Sequence, residues 1–400
     1  MTDKEIENLI APFVEKQQTI EEIIINNIAG RVKEIGALSK KDVYQLQQLY
    51  KTGSNVQYLN KMLAETLNIQ EKNVKSMIKD VAINTYADAK PFYDYRRKAQ
   101  IPFEHNVKLQ RSVKAVSDQT AETFKNLSNS KATGFMIRDP KNSSRLKFQT
   151  LSEAYQSVID EAVQSVQNGV LDFDTAMRRT LKQLVDSGFR RAYWESGYSR
   201  RLDSIVRMNI LGGVRQINDK VQLQIAQETK CDGIELSAHS FSAPDHEPIQ
   251  GHIFTLENFD KMQSEMDFED VQHNKFPSMH RPIGEWNCKH FITAIIIAEH
   301  KPTWTQAELN ELKQANHEGY TLSNGKKLTM YECEQMQRKY ETDIRYAKEG
   351  YMMAKNAGND KLMEEYKTKL EKLNREYNQF SKDCGLKRQK NRATVSDFAY

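Results

Sequence analysis

Two apolar stripes near the C-terminus constrain this chain more than any other feature. Met336, Tyr340, Ile344, Ala347 and Tyr351 recur at spacings of four and three. Leu362, Tyr366, Leu370, Leu373, Tyr377 and Phe380 resume the same rhythm after the interruption Asn356–Asp360, "NAGND". This spacing places each set on one helix face. Two matched stripes joined by a short turn predict an antiparallel helical hairpin. Gly385 stands where a C-cap would end the second helix. Just upstream, Asn324-Gly325 separates two strand-like runs, a strong β-hairpin signal. Thr329 and Glu332 then have the spacing of a capping box that opens the first helix.

The rest of the chain is also read mostly as helix. Ser39-Lys40-Lys41-Asp42 and Ser54-Asn55-Val56-Gln57 look like N-terminal caps. Val56, Leu59, Met62, Leu63 and Leu67 follow the second at helical spacing. The Ser- and Asn-rich stretch from Ser128 to Ser144 reads as a surface loop or domain junction. A second helical set follows. Leu151, Ala154, Tyr155, Val158, Ala162 and Val166 share one face, and "FDTAMRRTLKQLVDSGF" ends near Gly188 as a C-cap. Leu202, Ile205, Val206, Val214, Ile217, Val221 and Ile225 mark a third helix. Within it, Gly212-Gly213 signals a break or a close helix contact.

Composition changes sharply after residue 238. Seven of the nine histidines lie between His239 and His300, and five of the nine prolines lie between Pro244 and Pro302. "GIELSAH" has the alternation of a short strand. "SAPDHEPIQGHIF" reads as a turn-rich loop leading into another. The apolar run Phe291–Ala298 reads as a buried strand. At 8 residues it is far below the roughly 20 needed to span a bilayer. The N-terminus "MTDKEIENLI" has no basic segment before an apolar one. A soluble chain made in a cytoplasm is therefore expected. The four cysteines are scattered with no CxxC pair, which argues against a disulfide framework. A net charge of +4 gives no bulk argument for DNA readout.

The histidine-rich segment is the place to look for chemistry. His239, His246, His252, His280, Cys288 and His290 offer enough donors for a tetrahedral zinc. Cys288 and His290 lie two residues apart, on one side of an extended segment. The plainer reading is that these side chains hydrogen-bond inside a small core. No zinc-finger spacing and no HExxH occur in the sequence. A Cys–His nucleophilic pair lacks an identifiable orienting group. Asp245 and Glu247 flank His246 and could orient it. The basic tail, with Lys387, Arg388, Lys390 and Arg392, could touch DNA phosphates. More commonly such a tail is a solvated helix end that complements the dipole.

"AHSFSAPDHEPIQGHIF" followed by "IGEWNCKHFITAII" resembles the phage minor capsid protein 2 family, allied to the Mu-type minor head proteins. The matching positions are His239, Pro244, His246, Gln250, Gly251, Asn287, Cys288, Lys289 and His290. "YWESGYSRRLDSIVRMNI", "LTMYECEQMQRKYE" and "FSKDCGLKRQKNR" are similar to further blocks of that family, so the resemblance covers roughly residues 150–400. The chain departs from the family at Ala243 and Ile249, where an Arg and an aromatic are usual. That weakens any catalytic reading of the loop.

The resemblance implies a non-enzymatic structural component of a tailed-phage or prophage head. It further implies association with the portal vertex and a part in head assembly or DNA delivery. The expected partners are portal and capsid proteins, with packaged DNA as a further candidate and neither a membrane nor a small-molecule substrate. The expected location is the virion, after assembly in the host cytoplasm. No cofactor is expected beyond a metal ion held by His239, His246, Cys288 and His290. A metal-dependent hydrolase and a DNA-binding head protein are the alternatives. The expected fold is mainly α with a small α+β core. Residues 1–145 form a helical N-terminal region, and residues 146–304 a His/Cys-containing α+β module. Residues 305–400 form a β-hairpin, an antiparallel helical hairpin and the basic tail.

Overall fold

A computed structural model of the chain describes residues 3–36, 54–127, 132–139, 142–168, 173–193, 198–279, 281–284, 288–395 and 398. The chain opens with α1 (Asp3–Gly36), α2 (Ser54–Asp88), α3 (Lys90–Tyr95) and α4 (Val107–Leu127), then β1 (Thr133–Asp139) and β2 (Asn142–Thr150). Next come α5 (Leu151–Asn168), α6 (Phe173–Ser187), β3 (Arg190–Tyr193), β4 (Tyr198–Arg201) and the long α7 (Leu202–Thr229). The histidine-rich region holds β5 (Gly233–Leu236), β6 (Ile253–Thr255), α8 (Leu256–Gln263), β7 (Phe268–Glu269), β8 (Lys275–Phe276) and β9 (Ile292–Ile295). The last elements are α9 (Gln306–Glu318), β10 (Tyr320–Thr321), β11 (Lys327–Leu328), α10 (Met330–Ala357) and α11 (Asp360–Asp383). The fold is mainly α with small antiparallel sheets. Among the described residues no helix is long and apolar enough to cross a membrane.

The chain divides into two compact units, each drawn from three segments. The first comprises residues 1–10, 71–123 and 207–335, and contains the histidine-rich region. The second comprises residues 11–70, 124–206 and 336–400.

From Met336 onward the C-terminal hairpin lies in the second unit. α10 and α11 run antiparallel: Gln337 Nε2 donates to Ser381 Oγ at 3.2 Å, and the Tyr340 ring lies 5.6 Å from that of Phe380. Further along, a Cβ on Gly350 would lie 2.4 Å from the Tyr366 ring. The "NAGND" turn works through two residues. Gly358 takes a positive φ of 68°, and Asn359 caps α11 by accepting the Leu362 N–H at 2.9 Å. Thr329 and Glu332 make both bonds of the capping box.

The second unit also corrects one expectation. The stretch 128–144 contains all of β1 and the start of β2, which form a hairpin in the sheet ordered β2-β1-β3-β4. Phe135 and Ile137 are buried, and the Met136 N–H donates to Ser187 Oγ at 2.7 Å. The neighbouring Ser and Asn residues hid a strand that tertiary pairing and a helix underneath stabilise. The expected cap at Ser39–Asp42 lies outside the described residues, and α2 starts at Ser54.

In the first unit α7 passes uninterrupted through Gly212-Gly213, so the pair marks a close contact. A Cβ on Gly213 would lie 2.4 Å from Thr120 Oγ1 and 3.2 Å from Ile78 Cδ1. Thr120 cannot easily turn away, because its hydroxyl donates to the Val116 carbonyl at 2.8 Å. A Cβ on Gly212 meets nothing within 4 Å. Gly213→Ala should therefore destabilise the protein by about 1–3 kcal/mol. Gly212→Ala should stabilise it by about 0.5–1 kcal/mol through the helix preference for alanine. Urea denaturation of both variants checks the pair, and equal midpoints would contradict the close contact.

β5 is the centre of the three-stranded sheet ordered β6-β5-β9. All four of its residues are buried, rather than alternating, because the strand is covered on both faces. Glu235 in it is satisfied by the Thr303 N–H at 2.6 Å and by His300 Nε2 at 3.0 Å. β9 spans four residues of the apolar run 291–298, and the chain turns at 297–299. Ile234, Leu236, Phe254, Phe259, Met262 and Ile292 form the centre of one apolar core that also takes in Cys288.

Candidate functional site

The pairing of β5 with β9 brings the two sequence blocks together. Leu236 pairs with Ile292, and the ladder continues one step further. There the Ser237 N–H donates to the Phe291 carbonyl at 2.8 Å, and the Phe291 N–H donates to Ser237 Oγ at 2.9 Å. The chain leaving β5 therefore meets the chain entering β9, which carries Cys288 and His290.

The loop after β5 is a run of tight turns. The His246 N–H donates to the Ala243 carbonyl at 3.0 Å, which places Pro244 at the second turn position, where its fixed φ fits. The Gln250 N–H returns to the His246 carbonyl at 3.2 Å. Gln250 is buried and its Oε1 accepts the His239 N–H at 3.2 Å, so it clamps the loop start. Gly251 has φ +73°, and a Cβ there would lie 2.5 Å from Leu309 Cδ2. Lys289 Nζ reaches Glu334 Oε2 at 3.5 Å. These matching positions are thus turn, clamp and anchoring residues. Asn287 and His280 lie outside the described residues.

His246, Cys288 and His290 converge, with one potential ligand atom from each inside 4.8 Å of the others. Cys288 Sγ lies 3.4 Å from Nδ1 of His246 and 3.4 Å from Nδ1 of His290. All three are at most 3% exposed. His239 is half-buried, with its ring centroid 4.4 Å from that of His290. His252 points elsewhere, to the buried Asp270 at 2.7 Å. The acids flanking His246 have nearer partners: Asp245 pairs with Arg281 and lies 3.8 Å from His246 Nε2, and Glu247 binds Asn316 and His317. His246 Nε2 instead faces the Arg281 carbonyl at 3.0 Å.

Burial raises the Cys288 thiol above its ordinary value, opposed by N–H groups of Gly284 and His290 and by the charges of Arg215 and Arg281. Burial also lowers His246, and lowers His290 well below the ordinary histidine value. Both imidazoles are therefore neutral near pH 7. In this state the thiol is a poor nucleophile. His246 Nε2 is held by the Arg281 carbonyl, while the Asp245 carboxylate that a Cys–His catalytic pair would use stands farther off at 3.8 Å and is bound to Arg281.

Sequence reasoning missed Arg215. It is fully buried on α7, with its guanidinium carbon 3.3 Å from the centroid of the Phe291 ring. A cation beside Val214 on an otherwise apolar helix face is the signal that could have found it. The tail places its basic residues unevenly. Lys387 and Arg388 are exposed, Arg388 binds Asn378 Oδ1, and Arg392 lies 3.7 Å from Glu341.

No curated protein and no solved structure matches this chain. A family model described as phage minor capsid protein 2 matches residues 1–382. The match includes the two convergent blocks, and it also takes in the first 145 residues, which carry no motif of their own. With nearly the whole chain covered, the protein belongs to the phage minor capsid protein 2 family.

Proposed function

We propose that this structural phage protein is a head component of the portal vertex, binding portal and capsid subunits to assist head assembly or DNA delivery. The observation that carries this reading is the family match over residues 1–382. The chemistry of the convergent blocks agrees with a binding role. A catalytic metal keeps an open position for substrate, whereas Cys288 and His290 are only 3% and 2% exposed. No catalytic step is assigned to them. The tail supports DNA contact only weakly, because Arg392 sits beside Glu341. Its exposed Lys387 and Arg388 are the residues that would make such a contact.

Cross-linking of intact heads followed by mass spectrometry tests the proposal. Cross-links from this chain to the portal protein are expected. Cross-links confined to tail proteins, with none to portal or capsid subunits, would contradict it.

A further inference from the structure

We propose that His239, His246, Cys288 and His290 form a structural site for a divalent transition-metal ion of zinc character. This goes beyond the head role and does not depend on it.

The spacing of the donors is the first observation. Tetrahedral zinc, with Zn–S near 2.3 Å and Zn–N near 2.0–2.1 Å, sets sulfur and nitrogen about 3.6 Å apart. Cys288 Sγ lies 3.4 Å from both Nδ1 atoms, so the three donors already stand close to the edges of such a tetrahedron.

Tautomers are the second. His246 Nε2 lies 3.0 Å from the Arg281 carbonyl, which accepts and never donates. That nitrogen must carry the proton, and the lone pair is left on Nδ1, facing the sulfur. His239 is fixed the same way with the nitrogens exchanged. Its Nδ1 lies 2.9 Å from the Ser240 carbonyl, which leaves the lone pair on Nε2. An imidazole whose far N–H is held by a carbonyl is the usual arrangement around a bound metal.

Protons are the third. The thiol has one hydrogen and faces two Nδ1 atoms, so it can satisfy at most one of them. The second could only donate to sulfur, a weak acceptor. His290 Nε2 has no partner among the described residues. A cation engages the sulfur and both Nδ1 atoms together. The His290 N–H donates to Cys288 Sγ at 3.4 Å, support that suits a thiolate better than a thiol.

Binding replaces the thiol proton by a metal–sulfur bond, so one proton is released per ion. The donors that already converge are those of His246, Cys288 and His290; the His239 ring, 4.4 Å from that of His290, would swing in to supply the fourth ligand through Nε2 and make the site closed and structural. His252, held by Asp270, lies outside it.

The test uses full-length protein made without a histidine tag. Elemental analysis should find about one zinc per chain. Chelation should lower the melting temperature, and added zinc should restore it. Cobalt(II) added to the chelated protein should give a thiolate charge-transfer band with tetrahedral d–d bands. Cys288→Ser should lose the charge-transfer band. His239→Ala should bind at least about tenfold more weakly, the loss typical of even an outer-shell partner. His252→Ala should bind as the wild type does. A metal-free protein with the same melting temperature with and without zinc would overturn the site. That measurement needs no variant to fold. Undiminished affinity in His239→Ala would overturn the four-ligand assignment.

Discussion

Replacing Arg345 with methionine should destabilise the unit formed by residues 11–70, 124–206 and 336–400 by about 3–5 kcal/mol. Arg345 is 2% exposed and lies between two carboxylates. Its Nη1 donates to Glu349 Oε1 at 2.7 Å, and its Nη2 donates to Asp203. Nearby, Arg201 donates to Glu21 at 3.1 Å and stacks on the Tyr346 ring. Methionine fills much of the same volume but takes the guanidinium away from Asp203 and Glu349, leaving the ionised Asp203 with only the more distant Arg201. The penalty is mainly that of uncompensated charge, not of lost packing. Chemical denaturation followed by circular dichroism measures it, and an unchanged midpoint would contradict the account.

The same group predicts a pH dependence. Two arginines face three carboxylates, so full ionisation leaves one negative charge in excess. Burial pushes Glu349 up to about 8 despite Arg345, and its Oε2 has no partner among the described residues. Glu21 is raised too, again by burial. Between an unfolded value of 4.5 and a folded value of about 8, the folded state holds more protons than the unfolded state. Stability from this group is therefore full below 4.5 and falls as pH rises toward 8. Asp203 is shifted below 3.8, so it changes stability only in acid, outside this window. Glu349→Gln keeps the group neutral and should flatten the loss between pH 5 and pH 8. A slope equal to the wild type would show that Glu349 is ionised throughout.

Phe254→Ala should cost about 3–5 kcal/mol in the unit that holds the convergent cysteine and histidines. Phe254 is fully buried on β6, opposite Ile234 of β5. Its ring lies 5.8 Å from Phe268 and 6.2 Å from Phe276. Three aromatic rings from three strands meet at this point, so truncation opens a cavity that the short strands cannot collapse to fill. The loss reaches the site because β5, the partner of β6, also sets the position of β9. Hydrogen exchange should quicken at Gly233–Leu236 and Ile292–Ile295. Unchanged protection there would mean that the aromatic cluster does not support the sheet.

The sequence revealed most where structure is local. The helical hairpin, its turn and the Thr329 cap each depend on residues within a few positions of one another. The convergence of Cys288 with His246 depends on β5–β9 pairing across 42 intervening sequence steps. Spacing alone could not show it, although both blocks stood out by composition. The buried charges were hidden for a different reason. Glu341, Arg345 and Glu349 follow one another at four-residue spacing, the pattern of a solvated salt-bridged face. They are 1%, 2% and 4% exposed, because α10 is covered on that side as well as on its apolar stripe. The β1–β2 hairpin was missed because its polar residues carry little strand signal until a partner strand is present.

As a member of a minor capsid protein family, this chain should be built into the phage head. Quantitative mass spectrometry of purified, DNA-filled heads tests it most directly. Peptides of this chain should be present in those heads. Its presence in infected-cell lysate but absence from purified heads would contradict the account.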